Sequence, residues 1–131
     1  MATEVRTATP ERVVLAAPLA RNLNHRATAF GGSVAAQAIL AGWALVHVRL
    51  EDEGIRARTV VQKSTVSYLE PIREDFEARA GAPDPRSWRR FRRSLDRWRR
   101  GRIRIDVEVW SGALLVARLA ADYVALLGAD D

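Results

Sequence analysis

The sequence predicts an α+β domain: an antiparallel sheet of about five strands wrapped around a long central helix, with a short Arg-rich amphipathic helix beside it. Three observations predict it. One nearly all-apolar segment, Val34 to Leu50, has the length of a helix and contains no carboxylate. Short segments with β-branched or alternating residues lie on both sides of it. A second helical segment, Arg86 to Arg100, is covered in arginine except for one apolar stripe.

Residues 1–10 are polar and expected to be a flexible N-terminus, and residues 11–131 a single domain. Arg12 to Ala17 (RVVLAA) is an apolar run closed by Pro18, expected as the first strand. The central helix spans roughly Gly32 to Leu50 and stops in the charged turn Glu51-Asp52-Glu53-Gly54. Being apolar on all sides, it should be buried on all sides. Its longest apolar stretch, Val34 to Val48, is shorter than the roughly 20 residues a membrane span needs, so no span is expected. Thr59 to Leu69 (TVVQKSTVSYL) is rich in β-branched residues and predicts a long strand stopped near Pro71. Asp75 to Ala80 alternates, and so does Ile103 to Trp110, the clearest half-buried strand. Ser111-Gly112 turns the chain into a last strand, Leu114 to Leu126. In the Arg-rich helix, Asp84 suits the N-cap, Pro85 the first helical position and Gly101 the position after the end. Trp88, Phe91, Leu95 and Trp98 form its stripe. A sheet of this size leaves an edge or face open, which a second copy would cover.

Composition narrows the function. The chain has no cysteine, which excludes disulfides, thiolate zinc sites and cysteine nucleophiles. Met1 to Glu11 lacks the apolar core of a secretory signal, so cytoplasmic residence is the expectation. The net charge of +5 is carried by arginine, with Lys63 the sole lysine, and favours an anionic partner.

The chemistry points to Asn24-His25-Arg26-Ala27-Thr28-Ala29-Phe30-Gly31-Gly32-Ser33. Two glycines let backbone approach a ligand, and the helix that follows presents unpaired amides at its positive end. Such an end can hold a carbonyl oxygen that gains negative charge during reaction. The plain alternative is a helix start beside a packed turn.

Together with Pro18 to His25, Ala41-Gly42-Trp43, Tyr68-Leu69-Glu70-Pro71 and Arg100 to Arg104, this segment resembles the hotdog-fold thioesterase family that includes the C-terminal domain of YiiD-type acetyltransferases. The resemblance spans about Leu15 to Leu126. It implies a hotdog fold, usually a dimer, that hydrolyses acyl thioesters; the expected site is at the dimer interface, with the acyl chain in an apolar tunnel along the central helix. The catalytic candidates are Asn24, placed by that resemblance, with Gly31, Gly32 and Ser33 at the helix start and His25 beside them. Asn24 would orient water or the thioester, or else tie down its own loop. His25 would be a base or a structural hydrogen-bonder. Phe30 stands where the wider superfamily often has histidine. Ile39 stands where many members carry a catalytic carboxylate, and Gln37, on the opposite helix face, does not replace it. Phe30, Lys63, Ser64, Thr65 and Ser67 are the substrate-binding candidates, with Lys63 meeting a phosphate or pairing with a carboxylate. The candidate substitutes for the missing carboxylate are His25, or Ser64, Thr65 or Ser67 from the strand expected to cross over the helix start of the partner subunit. His47 is expected in the core or at its rim.

The arginine helix admits a solvated face, a docking surface for coenzyme A phosphates or an acidic acyl carrier protein, or, ranked last, nucleic-acid binding. No metal or redox cofactor is implied; coenzyme A or phosphopantetheine enters only as part of the substrate. A homodimer or dimer of dimers is expected. The rival reading is a non-hydrolytic hotdog protein that binds or modifies an acyl thioester, for which a missing helix carboxylate is no handicap.

Overall fold

The computed structural model describes residues 2–22, 29 and 31–128. Six strands form one antiparallel sheet: β1 (Glu4–Thr9), β2 (Arg12–Ala17), β3 (Ala57–Tyr68), β4 (Phe76–Gly81), β5 (Arg100–Ser111) and β6 (Leu114–Leu127). Their order is β1-β2-β4-β5-β6-β3, so β1 and β3 are the edges. The helices are α1 (Gly31–Asp52) and α2 (Pro85–Trp98).

The sixth strand corrects the expectation of a loose N-terminus. Residues 4–9 pair with β2, starting at Thr9 opposite Arg12. They are exposed on both faces except Thr7. An edge strand of this kind is held by backbone bonds to a buried neighbour, so it leaves no apolar alternation in the sequence.

α1 lies on one face of the sheet. Val34, Gln37, Ala38, Ala41, Gly42, Leu45, Val46 and Leu50 are its buried residues, spaced by three and four. They pack on the alternating inner residues of β5, Ile103, Ile105, Val107 and Val109. Burial on all sides is not what the fold provides. Gly32, Ala36 and Leu40 are exposed, and Trp43 and His47 are half-buried. A single curled sheet covers only one side of a helix, so the other apolar stripe stays open. At 22 residues α1 is long and apolar enough to cross a membrane by length and composition, contrary to the shorter estimate from the sequence. Its eight sheet-facing residues are what a core helix presents.

α2 closes the far end of the sheet. Asp84 caps it by accepting from the Ser87 N–H at 3.3 Å, and Pro85 opens it, as the sequence predicts. Its end differs. The helix stops at Trp98, and Arg99 takes the left-handed conformation (φ 61°) with its N–H bonded to the Leu95 carbonyl. Gly101 belongs instead to β5, where a Cβ would lie 2.9 Å from Phe91. Trp88, Phe91 and Leu95 are buried, but Trp98 leaves the stripe and is 65% exposed. The Arg97 guanidinium stacks on its ring at 4.9 Å.

Candidate active site at the start of the long helix

Two hydrogen bonds join the chain entering α1 to the chain leaving β3. The Tyr68 hydroxyl donates to the Gly31 carbonyl at 2.7 Å. The Ala29 N–H donates to the Ile72 carbonyl at 2.9 Å. A cleft of about 320 Å³ lies there, walled by Ala29, Gly31 and Val34 on one side and by residues 68–72 on the other. The first four N–H groups of an α-helix have no partner within it, and they collect at this end. No acidic residue stands in the first turn of α1 to offset their positive potential.

Gly31 has no obvious duty to the fold. Its φ is not positive. A Cβ there would meet Tyr68 Oη at 3.4 Å, an ordinary contact. Among the described residues, a Cβ at this position on the cleft wall would have the Tyr68 side chain as its nearest neighbour.

The structure places the sequence-derived candidates unevenly. Gly31 lines the cleft, with Gly32 exposed and Ser33 half-buried in the same helical turn. Asn24, His25 and Phe30 lie outside the described residues. The strand candidates divide between the two faces of β3. Thr59 is buried and pairs with inward-facing Ala125, and Val61 pairs with Tyr123. The register then shifts between Val61 and Lys63, so one residue is skipped. Beyond it Ser64, Val66 and Tyr68 pair with Ala121, Leu119 and Ala117 and face α1. Lys63, Thr65 and Ser67 face the opposite side, across from Asp122, Ala120 and Arg118.

Ile39 is half-buried against the core, so α1 offers no acid there. Its first carboxylate is Glu51, about 30 Å along the axis from Gly31 at the rise of an α-helix. Gln37 is fully buried and its Oε1 accepts from the Thr3 hydroxyl at 2.7 Å, which ties β1 to the helix. His47 sits at the rim, stacked on Trp43 (4.9 Å between centroids) with Nε2 3.2 Å from Glu51. Among the described residues no cluster of three or more His, Asp or Glu could hold a metal.

Of the residues lining the cleft only Gly31 was a site candidate. Its polar side chains, Tyr68 and Glu70, stand in the segment Tyr68-Leu69-Glu70-Pro71, which the sequence marks as a strand end and as part of the family resemblance but not as a site.

A second apolar feature adjoins the cleft. Leu40 (38% exposed) on α1, Val61 (43%) on β3 and Leu69 (46%) just beyond it are exposed large apolar residues. Trp43 links helix to strand, its Nε1 donating to the Thr59 carbonyl at 2.7 Å. The open side of α1 therefore runs beside the free edge of the sheet.

An antiparallel sheet packed along a long helix, with a cleft at the helix start, defines a hotdog-type protein. Solved structures agree in fold. A protein of unknown function from Chlorobaculum tepidum is similar with a TM-score of 0.92 at 26% identity, over 98% of this chain and 84% of that one. A protein described as a putative thioesterase from Shewanella oneidensis has a TM-score of 0.85 at 25% identity, over 96% and 85%. A structure from Pseudomonas aeruginosa described as a probable thioesterase shares the fold, with a TM-score of 0.82 at 21% identity, over 95% and 83%. A search of curated proteins finds no match. The family model described as "Putative thioesterase (yiiD_Cterm)" matches residues 1–127, and the chain belongs to that family.

Proposed function

We propose that this protein hydrolyses acyl thioesters of coenzyme A or of a carrier protein at the cleft beside Gly31, working as a homodimer or dimer of dimers. The observation that carries the reading is the juxtaposition of the start of α1, a cleft lined by Gly31 and the Tyr68–Ile72 segment, and an exposed apolar flank. The amides hold the thioester oxygen as it becomes negative, and the flank along α1 takes the acyl chain. Asn24 and His25 act from the preceding segment, and Ser33 from the first turn. Ser64 faces the helix and is available to the acyl arm; Lys63, Thr65 and Ser67 are on the face where phosphates would pass. Phe30 adds an apolar wall beside the carbonyl. The exposed arginines of α2 and β5 form the docking face for coenzyme A phosphates or an acidic carrier protein. The second copy pairs along β3, whose outer edge has no partner strand among the described residues and carries exposed Val60 and Val61. Cytoplasmic residence goes with this reading.

The test is hydrolysis of acyl-CoAs of graded length by wild type and Asn24→Ala, alongside light scattering for the oligomer. Each methylene buried on the flank is worth about 0.8 kcal/mol, so KM should fall about fourfold per added carbon until the flank is filled. Loss of turnover in Asn24→Ala supports the enzyme. Tight acyl binding without turnover supports the second reading, a non-hydrolytic acyl-thioester protein. The lack of any carboxylate on α1 before Glu51 favours that alternative.

A further inference from the structure

Hydrolysis at this cleft needs a group to take the proton of the attacking water, and α1 does not supply one. Resting on the hydrolase reading above, we propose that Glu70 is that general base. It is the one carboxylate among the residues walling the cleft.

Its position is fixed from both directions along the chain. Tyr68, two residues before it, is bonded to Gly31, and Ile72, two residues after it, is bonded to Ala29. Two residues of extended chain span at most about 7 Å, so the Glu70 Cα stays within that distance of the Tyr68 and Ile72 Cα atoms. The backbone between them is itself anchored. The N–H groups of Leu69 and Glu70 both donate to the Val116 carbonyl, at 2.8 and 3.2 Å. Pro71 further restricts the conformation of Glu70. Glu70 and Gly31 line the same cleft, and a water between them is what the proposed step requires.

Asp75 and Glu77, further along the chain, are held by other partners: Asp75 accepts the Leu19 N–H at 2.8 Å, and Glu77 pairs with Arg79 at 2.9 Å. The Glu70 side chain is exposed and makes no hydrogen bond or ion pair among the described residues.

In the step, the water oxygen bonds to the thioester carbonyl carbon while its proton passes to the Glu70 carboxylate. The carbonyl oxygen takes up the negative charge against the amides of Gly31 to Ser33. The tetrahedral intermediate then re-forms the carbonyl and breaks the carbon–sulfur bond. The departing thiolate takes the proton from Glu70, leaving a carboxylic acid, a thiol and the original carboxylate.

The experiment compares wild type, Glu70→Gln and Glu70→Asp on hexanoyl-, decanoyl- and palmitoyl-CoA, with binding of a non-hydrolysable decanoyl-CoA thioether measured in parallel. Glu70→Gln should lower kcat by about 10²- to 10⁴-fold, the usual contribution of a general base. It should leave thioether affinity within about threefold, because the interaction belongs to the transition state. Glu70→Asp, which keeps a carboxylate, should retain more turnover than Glu70→Gln. Wild-type turnover with Glu70→Gln unimpaired overturns the role of Glu70 and leaves the hydrolase standing. No wild-type turnover on any thioester, with the thioether bound, overturns both. Glu70 is exposed, so Glu70→Gln should melt as wild type does, and a kcat loss that follows a lowered melting temperature counts against the role.

Discussion

α1 carries two glycine–tyrosine contacts that are alike in bonding and opposite in setting. Tyr68 of β3 donates its hydroxyl to the Gly31 carbonyl at 2.7 Å, and Tyr123 of β6 donates to the Ile39 carbonyl at 2.7 Å. Tyr123 is fully buried, whereas Tyr68 is 55% exposed. At Gly42, beside Tyr123, a Cβ would lie 2.3 Å from the phenol oxygen and 2.8 Å from the ring. At Gly31 the same atom would make an ordinary contact. One glycine is therefore required by packing, and the other is not. The difference separates a structural lock in the core from a contact that frames a site.

The comparison is broken most directly at Gly42. Gly42→Ala forces either the helix or β6 to move, an overpacking cost of about 1–3 kcal/mol. Urea denaturation measures it, and an unchanged midpoint would mean that the ring is free to yield. Tyr123→Phe is milder. It removes a buried hydrogen bond whose acceptor keeps a helical partner, and should cost about 1 kcal/mol.

Tyr123 also gives the lock a pH signature. Burial raises its pKa well above the ordinary phenol value, and a backbone hydrogen bond from Trp43 lowers it by less. The folded chain then keeps this proton where the unfolded chain loses it. Stability is therefore complete below the unfolded value of about 10 and declines as pH rises past it, by at most about 1.4 kcal/mol per pH unit. Alkaline denaturation of Tyr123→Phe should lack that part of the decline. Equal slopes in the two proteins would show that the phenol is not protected by burial.

The lock and the cleft were not equally legible in the sequence. Alternation in Ile103 to Val109 is plain because every second residue is buried, and Asp84-Pro85 marks the start of α2 by local chemistry alone. β1 left no such mark, since it is held by its backbone. The covering of α1 was misjudged because both of its faces are apolar, and only the sheet tells which is covered. The strand candidates failed to stay together for one reason, the register shift after Val61. Strict alternation from Thr59 would turn Lys63, Thr65 and Ser67 toward the helix and Tyr68 away from it. One skipped residue reverses both, which is why Tyr68 and Glu70 emerged only with the fold.

Tyr68→Phe sharpens the exposed member of the pair. Its hydroxyl is open to water, so losing the bond should change stability by no more than about 0.5 kcal/mol. The start of α1 would lose a tie to β3, and misplacing the amides should lower kcat about tenfold, short of the larger losses that misplacement by 1 Å can bring. Thermal melting beside acyl-CoA turnover separates the two effects. A variant that melts early but turns over normally would make Tyr68 a structural lock like Tyr123.

Gly31→Ala should disturb folding least. Alanine is the better helix former, and its methyl group meets only ordinary contacts, so stability should shift by about 0.5 kcal/mol or less, and toward greater stability if at all. The same methyl group projects at the mouth of the cleft, beside the amides that would hold the thioester oxygen. Turnover should therefore fall while the melting temperature holds, the reverse of the pattern expected at Gly42. If Gly31→Ala loses stability as Gly42→Ala does, both glycines serve packing and the cleft has no reserved space. If it keeps both stability and turnover, the space above Gly31 is not where the thioester carbonyl sits.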